Sequence, residues 1–147
     1  MNIVLLDAKT LGDDLDISAL DAFGTVTVYQ TTSKEETLER IQIADIVITN
    51  KVVITANMME EAPRLKLICI AATGMNNVDL EAAKYKGIEV KNVAGYSTKS
   101  VVQHTFAMAL YLLEKMAYYD AVVKDTTWTE SGLFTDVSRP FYEISGK

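Results

Sequence analysis

The chain has 147 residues, 49% of them apolar, and a formal net charge of −6. This charge disfavours nucleic-acid binding, because phosphates are bound by clustered Lys and Arg side chains and the sequence contains no run of basic residues. The apolar content, with few prolines and glycines, is typical of a globular protein, and we expect a soluble, cytoplasmic one without a disordered tract.

Short apolar runs alternate with helical patterns over the first part of the chain. The first run, NIVLLD, is apolar enough for a strand buried on both faces. Gly24 suits the left-handed position after a short helix, and Ser33 with Glu36 forms a capping-box pattern. Asn77 is predicted to cap the helix over residues 78–86, and Gly87 is predicted to end it. The predicted strands are 2–7, 25–30, 44–50, 65–71 and 88–93, and the predicted helices are 17–24, 34–41, 56–62 and 78–86.

Five strands that alternate with helices predict a mostly parallel sheet, because right-handed crossovers place the helices against the sheet. We expect an α/β fold of the flavodoxin type, with strand order 2-1-3-4-5 and helices on both faces. A single long helical pattern follows, from a cap at Ser97 or Thr98 to Val123. Its middle is apolar nearly all round, which predicts burial from more than one side. The tail beyond this helix has no regular period.

A candidate anion site lies at the carboxyl edge of the predicted sheet, where ligands of open α/β sheets bind. After the fourth strand, Gly74 would let its own N–H and that of Thr73 approach an anion closely. After the third strand, Asn50 adds an amide and Lys51 a cation. This set suits a small carboxylate, and it contains no nucleophile–base pair and no metal ligands. A simple turn is the alternative, since Gly and Asn tolerate left-handed backbone angles.

Three further residues are interpreted as packing residues and not as parts of a functional site. His104 is the single histidine, and without an orienting partner in its helix we interpret it as a packing or interface residue. Trp128 is interpreted as a packing anchor of the tail. Cys69 is expected to be buried in its strand, in a reducing compartment. No signal peptide is recognised, and the apolar stretch 101–113 is too short to span a bilayer.

Three motifs occur in order along the chain: ITNKVVI, AATGMNNVDLEAAKYKGI and NVAGYSTKSVVQHTFAMAL. With them the sequence resembles the N-terminal half of the NAD-dependent D-2-hydroxyacid dehydrogenases, most closely the glycerate dehydrogenase (hydroxypyruvate reductase) branch. The resemblance implies a substrate-binding domain over residues 1–97. For residues 98–147 it implies a crossover helix and the lead-in to a NAD-binding Rossmann domain.

The resemblance also implies roles for individual residues. The backbone amides of Thr73 and Gly74 would hold the carboxylate of a small 2-hydroxy or 2-oxo acid. Asn50 and Lys51 would line the same pocket. Val102 would lie at the start of the helix that touches the nicotinamide end of the cofactor.

The long helix, over residues 98–118, is expected to form a homodimer as it does in the family. The catalytic Arg, Glu and His of the family, its G-x-G-x-x-G motif and the return helix of its substrate domain match nothing in these 147 residues. We therefore expect no catalytic residue and no Rossmann domain here. We also expect this chain alone to bind no NAD tightly and to turn over no substrate.

Two alternatives belong to other functional classes. A receiver domain of a signalling relay has the same order of elements, and Asp7, Thr73 and Lys91 can be placed near its required positions. Asn50, however, stands where the phospho-accepting Asp would be, and an amide cannot accept a phosphoryl group in that way. A stand-alone carboxylate-binding or structural module without chemistry is the other alternative.

Overall fold

A computed structural model describes residues 1–146, in which the chain forms two units, Met1–Tyr96 and a second that begins at Ser97. The first unit is a five-stranded parallel sheet in the order β2-β1-β3-β4-β5 with helices around it, which confirms the predicted α/β class and strand order. Its strands are β1 (Asn2–Leu5), β2 (Thr25–Val28), β3 (Ile46–Thr49), β4 (Leu67–Ile70) and β5 (Glu89–Asn92). Its helices are α1 (Lys34–Ile41), α2 (Ala56–Glu60) and α3 (Leu80–Lys86), with 3-10 helices at Ala8–Leu11 and Ser18–Ala22.

The core of this unit is built on the central strands. In β1, Val4 and Leu5 are both buried although their side chains leave opposite faces of the sheet, as predicted for a parallel strand covered on both sides. The edge strands β2 and β5, which combine polar side chains with valines, are largely exposed. The largest fully buried side chains of the chain are Leu5, Leu6, Ile41, Ile54, Met59, Ile68 and Ile70.

Local capping signals fix the ends of the helices. At α1 the capping box is confirmed: Glu36 N donates to Ser33 Oγ (3.3 Å), and Ser33 N donates to Glu36 Oε2 (2.8 Å). Gly87 ends α3 in the left-handed conformation, as predicted. The predicted cap by Asn77 is wrong, because α3 begins further along, where Asp79 accepts a hydrogen bond from Ala82 N at 3.0 Å.

Gly24 is required for a different reason from the one predicted. Its φ lies outside the left-handed region, so the prediction of a left-handed helix end is wrong. A Cβ at this position would stand 2.1 Å from the Met1 carbonyl oxygen, which accepts a hydrogen bond from Thr25 N. The glycine therefore allows the start of β2 to lie close to the start of β1, a contact across the sheet that no local pattern reveals.

The expected burial of Cys69 is incomplete, since its side chain is half-buried. Ile68 and Ile70 of the same strand are buried, and Cys69 between them leaves the opposite face. Its register partner is Lys91 of the edge strand β5, where that face is thinly covered. Partial burial, together with the nearby Glu89 carboxylate, raises the pKa of the thiol.

The second unit is helical, and the single long helix predicted for it is wrong. The structure has α4 (Thr98–Leu113), α5 (Met116–Lys124) and α6 (Thr127–Ser131), the last within a tail expected to be irregular. The break falls at Lys115, whose φ is +52°. Its carbonyl accepts from Tyr118 N, and its ammonium donates to the carbonyl of Pro140. The chain direction therefore changes where this lysine engages the tail.

The tail packs on α5. The Tyr118 hydroxyl donates to Asp136 Oδ2 at 2.6 Å, the Tyr119 hydroxyl donates to the Arg139 carbonyl at 2.8 Å, and the Phe141 ring meets Tyr119 edge-on. The burial predicted for the long helix is not reached along α4, where every residue is exposed. Among residues 1–146, no helix has both the length and the apolar character needed to cross a membrane.

A pH effect is expected from Asp45, a buried residue just before β3. Its carboxylate accepts from Asn2 N at 2.7 Å and pairs with Arg64 at 3.1 Å. The Asn2 hydrogen bond first, and then that of Arg64, hold the pKa of Asp45 below its ordinary value. The unfolded chain therefore takes up this proton at a higher pH than the folded chain, so the contribution to stability is complete above about pH 4 and is lost as the pH falls through the lower folded pKa.

We expect the urea midpoint to decrease between about pH 5 and pH 2, and to decrease less in Asp45→Asn. Other carboxylates titrate in the same window, so the difference between the two proteins, measured by circular dichroism, is the informative quantity. Identical pH slopes in both proteins would show that Asp45 does not contribute in this way.

Candidate functional site

The carboxyl ends of β3, β4 and β5 lie side by side. Thr49 is in register with Ile70, and Ile70 with Asn92, so the three following loops leave the sheet at one edge. A groove of about 270 Å³ lies at this edge. It is lined by Thr10, Leu11, Leu15, Asn50, Ala71, Val93 and Tyr96, a mixture of apolar side chains with two hydroxyls and one amide.

The loop after β4 presents hydrogen-bond donors to solvent. Thr73 and Gly74 are exposed, and within residues 1–146 neither backbone N–H donates a hydrogen bond. The other side of this loop is tied to β5 and its following residue: Asn92 Nδ2 donates to the Thr73 carbonyl (2.7 Å), and Thr73 Oγ1 donates to the Val93 carbonyl (3.3 Å). The loop is therefore held through its oxygen atoms, while its two N–H groups remain available to an acceptor.

Gly74 is not required by the backbone conformation. Its φ lies outside the left-handed region, and the same is true of Asn76 and Asn77. A Cβ at Gly74 would have Asn76 Oδ1 at 3.3 Å as its nearest neighbour, the end of an exposed side chain that can move aside. The physical reason for the simple-turn alternative, left-handed angles at Gly and Asn, is therefore wrong for this loop.

The loop after β3 is held by the side chain of Asp7. The Asp7 side chain is buried, and its carboxylate accepts from Asn50 N (2.9 and 3.1 Å to its two oxygens) and from Lys51 N (2.7 Å). Val52 N donates to the buried Thr49 hydroxyl at 3.0 Å. The backbone N–H groups of Asn50 and Lys51 are thus already used, so only their side chains remain as hydrogen-bond donors for a ligand.

The Lys51 side chain is exposed, and its ammonium makes no ion pair in the described part of the chain. Asn50 is half-buried, with its Nδ2 atom 3.5 Å from the Thr10 carbonyl. Asp7 was not among the predicted site residues. The signal that could have identified it is an acid at the end of an apolar, doubly buried strand, since such a carboxylate must find donors nearby.

The structure brings four of the five predicted site residues to one edge of the first unit: Asn50, Lys51, Thr73 and Gly74. Val102 lies in α4 of the second unit, where 49% of its side chain is exposed, and its contact with a cofactor stays a prediction. His104 is exposed on the same helix. No three His, Cys, Asp or Glu side chains are grouped as metal ligands among the described residues.

The family model named D-isomer specific 2-hydroxyacid dehydrogenase, catalytic domain, matches residues 3–140 of the sequence. The chain belongs to this family. A putative 2-hydroxyacid dehydrogenase of Haemophilus influenzae is 39% identical over 146 residues, which cover 99% of this chain and 46% of that protein. A hydroxypyruvate reductase of Blautia hydrogenotrophica is 37% identical over 151 residues, which cover 100% of this chain and 47% of that protein.

Among solved structures, an acyclic imino acid reductase in complex with NADPH and D-Arg matches with a TM-score of 0.78 at 26% identity, over 97% of this chain and 44% of that one. The predicted resemblance to the D-2-hydroxyacid dehydrogenases is therefore confirmed, and the receiver-domain alternative is removed. The chain spans about half the length of the curated family members it matches.

Proposed function

We propose that this chain is the substrate-binding portion of a cytoplasmic oxidoreductase that transfers a hydride between NAD(H) and a small D-2-hydroxyacid or 2-oxoacid of the glycerate/hydroxypyruvate type. Family membership supports the class of reaction, and the hydroxypyruvate reductase relative supports the class of substrate. The observation that carries the proposal for this chain is the pair of unbonded N–H groups at Thr73 and Gly74, exposed at the carboxyl edge of the sheet.

A carboxylate would be bound at this edge mainly by backbone donors. Hydrogen bonds from N–H groups to an ionised acceptor are about twice as strong as neutral ones, and the Lys51 ammonium adds a further attraction. The groove of about 270 Å³ at the same edge is lined by Asn50 but not by Thr73, Gly74 or Lys51, so of the four proposed contacts only Asn50 faces it.

NAD(H) would supply the hydride in the complete enzyme, but the residues of this chain do not fit a dinucleotide site. The sequence contains no G-x-G, so no glycine-rich turn at a helix N-terminus is present to hold a pyrophosphate. We therefore derive no hydride-transfer step from these residues. Val102 is proposed, from the family resemblance alone, to lie near the nicotinamide in the complete enzyme.

The substrate class is tested by an NMR titration of the chain with glyoxylate and D-glycerate. We expect amide shifts at residues 73–75 that saturate with the acid, because a carboxylate would accept from these N–H groups. Acetate, which lacks an oxygen on the second carbon, is the matched ligand and should bind more weakly. If neither acid shifts these amides, the proposed carboxylate site is wrong.

Expressed by itself, this chain is expected to consume no NADH with hydroxypyruvate. The residues that bind pyrophosphate and those that transfer protons in the family match nothing in its sequence. NADH absorbance measures the rate, with a complete hydroxypyruvate reductase as the positive control. Steady consumption that follows the chain through a second purification step would refute this expectation.

We also propose that two copies of the chain associate through residues 98–118. No charged residue occurs between Lys99 and Glu114, and Phe106 and Leu112 of α4 are 65% and 74% exposed. Contiguous exposed apolar patches often mark interaction surfaces in globular proteins. The family resemblance supports a second copy of the chain as the partner.

A further inference from the structure

We infer that Asp7 is a positioning residue, which fixes the backbone of Asn50 and Lys51 at the edge where a substrate carboxylate is proposed to bind. The inference rests on the proposed function for the ligand, but not for the contacts of Asp7. Asp7 would affect a bound acid without touching it, by holding the loop after β3.

The partners of the Asp7 carboxylate are unusual for a buried acid. Only 4% of the residue is exposed, and no Lys, Arg or His side chain pairs with it in the described part of the chain. Both of its oxygens accept from backbone N–H groups, those of Asn50 and Lys51. Burial of a carboxylate is costly unless hydrogen-bond donors compensate it. The N–H groups of these two residues provide that compensation and are thereby held in place.

Asp7 also organises the first loop of the same edge. Its carbonyl oxygen accepts from Thr10 N (2.9 Å) and from the Thr10 hydroxyl (2.8 Å), and Thr10 lines the groove. Asn50, held by the Asp7 side chain, lines the groove as well. One residue thus ties the loop after β1 to the loop after β3, and both contribute to the groove.

The far end of the loop after β3 is fastened to the loop after β4. Asn77 Nδ2 donates to the Val52 carbonyl (3.0 Å), and Ile54 N donates to the Asn77 carbonyl (2.8 Å). Asn77 stands three residues beyond Gly74 in sequence. The loop is therefore held by Asp7 at one end and by Asn77 at the other, so loss of the Asp7 contacts would release Asn50 and Lys51 while the rest stays attached.

Asp7→Asn tests this role, because an amide has one acceptor oxygen and would turn an NH₂ group toward a backbone N–H. We expect the Kd for glyoxylate, measured by NMR on the 147-residue chain, to rise by up to about fivefold, the most that one exposed charge pair contributes. Amide hydrogen exchange at Asn50 and Lys51 should accelerate. Asp45→Asn is the matched control. It neutralises another buried carboxylate that accepts a backbone N–H, that of Asn2, but at the amino ends of β1 and β3 and away from the candidate site.

A double mutant separates positioning from general destabilisation. Lys51→Ala should weaken glyoxylate binding, and the double mutant should weaken it by less than the sum of the two single effects, because Asp7 acts partly through Lys51. Asp7→Glu, which keeps the charge and both acceptor oxygens, should bind glyoxylate more tightly than Asp7→Asn. It also serves as the second variant if Asp7→Asn does not fold, since its displaced carboxylate should still accelerate exchange at Lys51.

Three results would overturn the inference: unchanged binding and exchange in Asp7→Asn, equal weakening in Asp45→Asn, or additive effects in the double mutant. If the wild-type chain binds neither glyoxylate nor D-glycerate, the proposed carboxylate site fails instead. Exchange at Asn50 and Lys51 then still decides whether Asp7 holds the loop. Protection lost in Asp7→Asn but kept in Asp45→Asn supports that role, and protection kept in both overturns it.

Discussion

Gly74→Val is expected to abolish glyoxylate binding to the loop after β4. The branched side chain would occupy the space through which a carboxylate reaches the N–H groups of Thr73 and Gly74. Each hydrogen bond to a charged group contributes about 1.5–3 kcal/mol, so losing two raises the Kd by about 100-fold or more. An NMR titration would then show no saturable shift at residues 73–75.

The substitution should leave the fold intact, which makes the result interpretable. Gly74 has an ordinary φ, and a Cβ there meets only the exposed Asn76 amide, so the free energy of unfolding should change little. Gly74→Ala should have an intermediate effect on binding. Thr73→Ala should have a small one, because its N–H is retained and the 3.3 Å hydroxyl contact with Val93 is weak.

Ala94→Val is the matched control for added bulk, since Ala94 is exposed in the neighbouring loop after β5. It should bind glyoxylate as the wild type does. The proposed carboxylate site at Thr73 and Gly74 would be wrong if Gly74→Val still bound the acid with wild-type affinity, or if Ala94→Val weakened binding to the same extent.

Several features that depend on short stretches of sequence were predicted correctly, although the cap by Asn77 and the left-handed conformation of Gly24 were not. Apolar runs separated by helical patterns predicted a parallel sheet, and the observed strand order is the one that five such strands favour. Ser33 and Glu36 are three residues apart, so their reciprocal capping could be recognised directly. The rule that ligands bind at the carboxyl edge selected four loop residues that do lie at this edge, and their contact with a substrate stays a prediction.

Features that depend on distant contacts were missed. Asp7 and Lys51 are 44 positions apart, and nothing near either residue shows that they meet. Gly24 is required by Met1, which lies across the sheet. The break at Lys115 coincides with its contact to Pro140, 25 positions further on, within a sequence whose apolar pattern is continuous. Local propensity is a weak prior that such tertiary contacts override.

The chain is expected to be a dimer at tens of micromolar, through residues 98–118. The tail could cover this helical segment in place of a second copy, but its hydrogen bonds and its ring contact are with α5 and the residue before it, Lys115. In α4, Phe106 and Leu112 stay mostly exposed. Burying apolar surface is worth roughly 25 cal/mol per Å², which a second copy can supply by covering the helix.

Phe106→Lys should convert this dimer into a monomer. Two-fold symmetry places each substitution in the interface twice. If burial of one Phe contributes about 2 kcal/mol, the pair contributes about 4 kcal/mol, or about 1,000-fold in the Kd, before the cost of burying the ammonium groups is added. Tyr85→Lys is the control, since Tyr85 is an aromatic residue of α3 that is 92% exposed. Sedimentation velocity should show dimers for the wild type and Tyr85→Lys but monomers for Phe106→Lys. A wild-type chain that sediments as a monomer at tens of micromolar would mean that a second copy is not what covers α4.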